Sequence, residues 1–226
     1  MRYELVIFDL DGTLLNTLED LKDSLNYALE KSGYPARSLE EVRRFVGNGI
    51  RKLIERGVPE GTEIPDIDTV HKDFTGHYAV HCADKTRPYD GIPELLHSLR
   101  AAGCKTAVVS NKADYAVQEL CRQYFDGLFD LAVGERKNIL KKPAPDSVYE
   151  VLRQLKVEKN HAVYVGDSEV DIETARNAGL HSIIVDWGFR EREFLMEKGA
   201  EIIVSKPQDI LAGVQGTDTW DGFTEK

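Results

Sequence analysis

Two carboxylates stand two residues apart in Asp9-Leu10-Asp11-Gly12-Thr13, directly after the apolar run Leu5-Val6-Ile7-Phe8. Acids at i and i+2 on a strand end repel each other, so the pair is costly unless something offsets it. Asp-Gly also favours a turn, which gives the same stretch a purely conformational reading. Ser110-Asn111 follows a second apolar run. A hydroxyl and a turn N–H there could hold an anion, or simply form a turn or helix cap. Lys141-Lys142-Pro143-Ala144-Pro145 offers a cation, or a solvated basic loop. Gly166-Asp167-Ser168-Glu169-Val170-Asp171 supplies two more acids, four residues apart. N-capping and the helix dipole favour carboxylates at such places too.

These residues need elements to hold them. Short runs rich in β-branched residues fall at 5–8, 106–109, 128–133, 162–165, 182–185 and 201–204. Amphipathic segments of helical length lie between them, at 92–102, 113–123, 146–155, 170–178 and 191–198. Buried strands punctuated by helices mean βαβ units and a parallel sheet. The expected fold class is α/β, a doubly wound parallel sheet, in which ligands gather at the carboxyl ends of the strands. All four polar stretches fall at such ends or just beyond. One segment breaks the alternation. From Thr17 to Asp84 there is no convincing strand, while Thr17-Leu18-Glu19-Asp20 and Ser38-Leu39-Glu40-Glu41 read as capping boxes opening helices. The expected division is a core over 1–15 and 86–213, a helical cap over 16–85, and a polar, aperiodic tail over 214–226.

Taken together and in this order, the four stretches resemble the haloacid dehalogenase superfamily, with its DxDGT, Ser/Thr, Lys and GDxxxD motifs. The resemblance covers the Rossmann-like core and, through the position of the insert, a helical cap. Only Asn16 differs, where many relatives have Asp or Ser, and it lies outside the motif positions. The resemblance implies a phosphotransferase in which Asp9 is the nucleophile and forms an aspartyl-phosphate. Asp11 would be general acid and then base. Gly12 would let the backbone turn around the phosphoryl group, and Thr13 would steady that loop. Ser110 and the Asn111 backbone N–H would bind phosphoryl oxygens, and Lys142 would neutralise both Asp9 and the phosphoryl group. Mg²⁺ would be held by Asp9, Asp167 and the Asp11 backbone carbonyl, with Asp171 supporting. Four carboxylates and one lysine leave an uncompensated charge of about −3, which a divalent cation reduces.

The insert implies a lid, and hence a small phosphorylated metabolite rather than a macromolecule. Phe45-Val46-Gly47-Asn48-Gly49-Ile50-Arg51 and Val185-Asp186-Trp187-Gly188-Phe189 are similar to stretches of the phosphoglycolate phosphatase group. Arg51 would pair with a substrate carboxylate, or else is a solvated helix residue. The expected activity is Mg²⁺-dependent hydrolysis of a phosphomonoester, 2-phosphoglycolate above others. A sugar phosphomutase or a non-catalytic phospho-ligand-binding protein are the alternatives. A dehalogenase normally lacks the second acid of the motif, so Asp11 argues against one.

Composition agrees. The 226 residues carry a net charge of −10, and 42% are hydrophobic. That supports a folded core and argues against a nucleic-acid partner, which would need a basic face. No apolar run approaches the ~18 residues of a membrane span, and the N-terminal run is cut by Asp9 and Asp11, unlike a signal peptide. Cys82, Cys104 and Cys121 make no paired or zinc-like spacing. The expected setting is the cytoplasm, as a monomer or homodimer.

Overall fold

The computed structural model describes residues 2–216. The described residues form two compact units, residues 2–14 with 88–216, and Leu15–Arg87. The first unit opens with β1 (Leu5–Phe8). The second holds β2 (Leu15–Asn16), α1 (Leu18–Lys31), α2 (Leu39–Phe45), α3 (Ile50–Gly57) and α4 (Ile64–His81), and the chain leaves it through β3 (Arg87–Pro88). The first unit then resumes with α5 (Ile92–Ala101), β4 (Lys105–Ala113), α6 (Asp114–Phe125), β5 (Leu131–Glu135) and α7 (Asp146–Leu155). It ends with β6 (Ala162–Gly166), α8 (Glu169–Ala178), β7 (His181–Val185), α9 (Arg192–Glu197), β8 (Ile203–Val204) and α10 (Pro207–Gln215).

β1 is apolar at every position because both its faces are covered. All four residues are buried; Leu5 and Ile7 share a cluster with Val148 and Val151 of α7 and Ala175 of α8. The sheet is parallel, in the order β5-β4-β1-β6-β7-β8. The expected doubly wound sheet is thus what forms. The chain steps from β1 to β4 and β5, then crosses back to lay β6, β7 and β8 on the other side. β1 is the strand where the order reverses, and the crevice beyond its carboxyl end is the natural ligand site. Phe8 sits beside Val108 on one side and Val165 on the other. That register brings the residues after each strand to one edge.

The helical unit contains no strand between Thr17 and Asp84. Its α1 buries Leu21, Leu25, Ala28 and Leu29, a single helical stripe, and packs on α4. The Ser38 capping box forms with Glu41. The one expected at Thr17 does not: its side chain makes no cap hydrogen bond and its buried hydroxyl has no partner among the described residues. Asp20 is drawn elsewhere, accepting the backbone N–H of Lys85 at 3.0 Å and of Thr86 at 2.8 Å. A carboxylate that serves two backbone donors outweighs a missing cap. His77 and His81 stack with ring centroids 4.2 Å apart, held by Ser24 and Asp84 respectively. The three cysteines are buried and form no disulfide among the described residues. Burial pushes the Cys104 and Cys121 thiols up to about 12, so both behave as small apolar residues.

Other boundaries move for identifiable reasons. β4 runs past Val109 to Ala113, with a shift in its pairing to β5. β5 starts at Leu131 because Asp130 still takes the Thr106 N–H as a side-chain acceptor. β8 is trimmed to two residues. The tail expected from residue 214 begins inside α10, which Pro207 starts and Gly216 stops with φ +72°; its remainder, 217–226, lies outside the described residues.

Candidate active site

Every core motif residue comes to the carboxyl edge of the sheet. The Asp9 N–H is bound by the Val165 carbonyl at 2.8 Å, which extends the β1–β6 pairing by one residue. Its Oδ1 accepts from the Leu10 N–H at 2.7 Å and from Lys142 Nζ at 2.9 Å. Its Oδ2 takes no hydrogen bond among the described residues. A nucleophile needs such an uncommitted lone pair.

Gly12 has φ +89°, and a Cβ there would lie 2.3 Å from Asp167 Oδ2. The loop after β1 can therefore close on Asp167 only with glycine. Thr13 Oγ1 donates to Asp167 Oδ1 at 3.0 Å, and Trp187 Nε1 donates to the Thr13 carbonyl at 3.1 Å. The Phe189 N–H donates to Asp167 Oδ2 at 2.8 Å. A Cβ on Gly188 would strike the Asp167 side chain at 2.3 Å. The segment after β7 is thus a backbone clamp on Asp167.

Lys142 is almost wholly enclosed. Its ammonium reaches Asp9, Asp171 Oδ1 at 2.8 Å and the Tyr164 hydroxyl at 3.1 Å. Asp171 is fully buried. Its Oδ2 accepts from the Ser168 hydroxyl at 2.6 Å and from the N–H of Ser168 and Asp167. Both Asp171 oxygens are therefore committed, and the carboxylate anchors Lys142 to the start of α8. Asn111 Nδ2 donates to the Lys142 carbonyl at 3.0 Å, tying β4 to the lysine loop, while Asn111 Oδ1 has no partner among the described residues. Ser110 is buried, and its Oγ accepts the Lys112 N–H at 3.2 Å. Arg51 lies in the helical unit, where Glu55 holds it at 3.1 Å and Asp68 pairs with it as well.

The charges do not balance within the protein. Burial raises Asp9 to about 7; Lys142 pulls it back, while Asp171 and Asp11 push it up. Burial, then Asp171 and Asp9, holds Asp167 well above the usual carboxylate range. Burial opposes the Lys142 charge, but Asp171 and Asp9 outweigh it and keep the ammonium charged. Burial likewise keeps the Tyr164 hydroxyl protonated. Ligand oxygens of Asp9, Asp167 and Asp171 lie within 4.8 Å of one another. Such an all-oxygen set suits a hard cation.

Two contacts escape the motif pattern. Tyr164 hides in an apolar strand, where its only signal is a polar tip among Val neighbours. Lys112, whose ammonium binds Asp11, sits where the strand was expected to have ended.

A family model described as haloacid dehalogenase-like hydrolase matches residues 6–185. The chain belongs to this family. A phosphoglycolate phosphatase of Mesorhizobium japonicum is 35% identical over 198 residues, covering 85% of this chain and 86% of the relative. An N-acetylmuramic acid 6-phosphate phosphatase of Pseudomonas aeruginosa is 30% identical, covering 93% and 94%. The crystal structure of a candidate phosphoglycolate phosphatase from Lactobacillus delbrueckii subsp. bulgaricus superposes with TM-score 0.91 at 38% identity, covering 95% of this chain and 99% of that one. These likenesses make this hydrolase a phosphatase-type member of its family.

Proposed function

We propose that this hydrolase removes the phosphoryl group from a small phosphorylated metabolite in the cytoplasm, 2-phosphoglycolate first among them, through an aspartyl-phosphate. The observation that carries the reading is Asp9: one oxygen locked by Leu10 and Lys142, the other uncommitted. Asp9 Oδ2 attacks phosphorus and the bond to the ester oxygen breaks. Asp11 gives that oxygen its proton. Asp11 then takes a proton from water as the water attacks phosphorus, which frees inorganic phosphate and restores Asp9. Ser110 Oγ and the Asn111 N–H bind phosphoryl oxygens, Lys142 offsets their charge, and Gly12 and Thr13 shape the loop around them. Asp9, Asp167 and the Asp11 backbone carbonyl would hold Mg²⁺, with Asp171 supporting, and the ion would supply the charge that lets a dianion approach an ionised Asp9.

The test is phosphate release from 2-phosphoglycolate, N-acetylmuramic acid 6-phosphate and hexose phosphates, with Mg²⁺ and with chelator. Turnover restricted to Mg²⁺ and fastest on 2-phosphoglycolate is expected. Undiminished turnover in chelator overturns the metal, and isomer formation without phosphate release overturns hydrolysis. Arg51→Ala should raise KM for carboxylated esters roughly 10-fold while sparing neutral ones, as expected for a lost charge-assisted pair. Equal change on both removes Arg51 from substrate binding.

Asp167 gives a readout independent of catalysis. A carboxyl whose folded pKa lies above its unfolded value opposes folding once pH exceeds the unfolded value. At pH 7.5, Asp167→Asn should therefore stabilise the cation-free protein. The amide oxygen can still accept from Phe189, and the amide N–H can donate to Thr13 Oγ1. A rise in Tm of about 2–4 °C in chelator is expected, along with loss of any further rise on adding Mg²⁺. A lower Tm in chelator, or an unchanged response to Mg²⁺, would count against Asp167 as a ligand.

A further inference from the structure

Lys112 has no task in the mechanism above, yet its side chain is only 2% exposed. Its ammonium donates to both oxygens of Asp11, at 2.9 and 3.2 Å. The Asp11 side chain is 16% exposed, so it keeps an open edge while its cation is enclosed. The backbone beneath is shaped to this contact. β4 loses regular register between Val109 and Ala113, and the Lys112 N–H donates to Ser110 Oγ at 3.2 Å within the same segment. An enclosed ammonium is expensive unless a carboxylate meets it. The pair therefore restricts both partners.

We propose that Lys112 is a positioning residue for Asp11. Its two-pronged grip limits rotation of the carboxyl and fixes where the proton meets the ester oxygen. The proposal rests on the reading of Asp11 as acid and base. Misplacing a reacting group by about 1 Å costs up to ~10²-fold in rate. A lysine that acts only by placing a proton donor should matter for esters that need the proton. An alkyl alkoxide needs it, whereas p-nitrophenolate leaves as the anion.

The experiment compares kcat/KM, with Mg²⁺, for an alkyl phosphomonoester and for p-nitrophenyl phosphate. Lys112→Met should lose roughly 10- to 100-fold on the alkyl ester and less than about threefold on the aryl ester. Lys112→Arg, whose fork can span both oxygens, should recover much of the loss. Asp11→Asn should show the same ester selectivity, and the Asp11→Asn, Lys112→Met double variant should be no slower than Asp11→Asn alone. If Asp11→Asn is selective but Lys112→Met slows both esters equally, or multiplies the Asp11→Asn loss, the proposal is overturned and the lysine is merely structural. If Asp11→Asn slows both esters alike, the acid assignment falls and the proposal falls with it. Should Lys112→Met fail to fold, Lys112→Gln is read in the same way.

Discussion

Asp9→Asn should fold as the parent does and hydrolyse phosphomonoesters at least ~10⁴-fold more slowly, the scale of losing a nucleophile. The geometry makes the substitution clean. The asparagine Oδ1 retains the bonds from Leu10 and Lys142, and only the uncommitted Oδ2 is replaced. A buried acid raised to about 7 is also removed, so Tm should hold or rise. Circular dichroism and a melting curve check the fold, and acid quench with labelled substrate checks for the phosphoenzyme. Parental rates in Mg²⁺ would remove Asp9 from the chemistry.

Lys142→Met should be the most damaging single change, because it strikes stability and rate together. The ammonium compensates Asp9 and Asp171 and meets the Tyr164 hydroxyl. Removing one member of a buried ion pair costs about 3–5 kcal/mol, because the partner's charge stays behind. A Tm drop of roughly 2–4 °C per kcal/mol is expected for a chain of this size, and kcat should fall by ~10²–10³ for the lost charge on the phosphoryl group. Lys142→Arg should rescue neither fully, since a planar fork does not fit where a compact point charge meets two acids. A variant with the parent's Tm and only a few-fold loss of rate would refute the structural and chemical roles alike.

Much of this site was legible because its residues break apolar runs at strand ends. An aspartate after Leu5–Phe8 or Ala162–Gly166 has no packing reason to be there, so its chemistry stands out. What the motif pattern missed is polar chemistry inside regular elements. Tyr164 fills a strand position as any large apolar residue would, and only three-dimensional proximity shows its hydroxyl between Val109 and Asp171. Lys112 escaped because apolar character stops at Val109 while β4 does not. Thr17 misled for the opposite reason: the local pattern was right for a cap, but Asp20 answers donors 65 and 66 residues away. The helix from Pro207 was hidden by the polar stretch that follows it. Arg51 is plain in sequence, but its pairing with Asp68, 17 residues further on, is visible only in three dimensions.

The place of β1 in the sheet also sets a timetable. The central strand is the first to leave the ribosome, but its neighbours start at Lys105 and Ala162. At ~5–20 residues per second, Leu5–Phe8 waits several seconds for its first partner and longer for its second. During that wait an apolar strand with two open edges is held by nothing in the sheet. The last protein donor to Asp167, the Phe189 N–H, arrives 180 residues after Asp9. The order of synthesis thus leaves Asp9 without its full surroundings until Phe189 has been made, and closure over such sequence distances is slow.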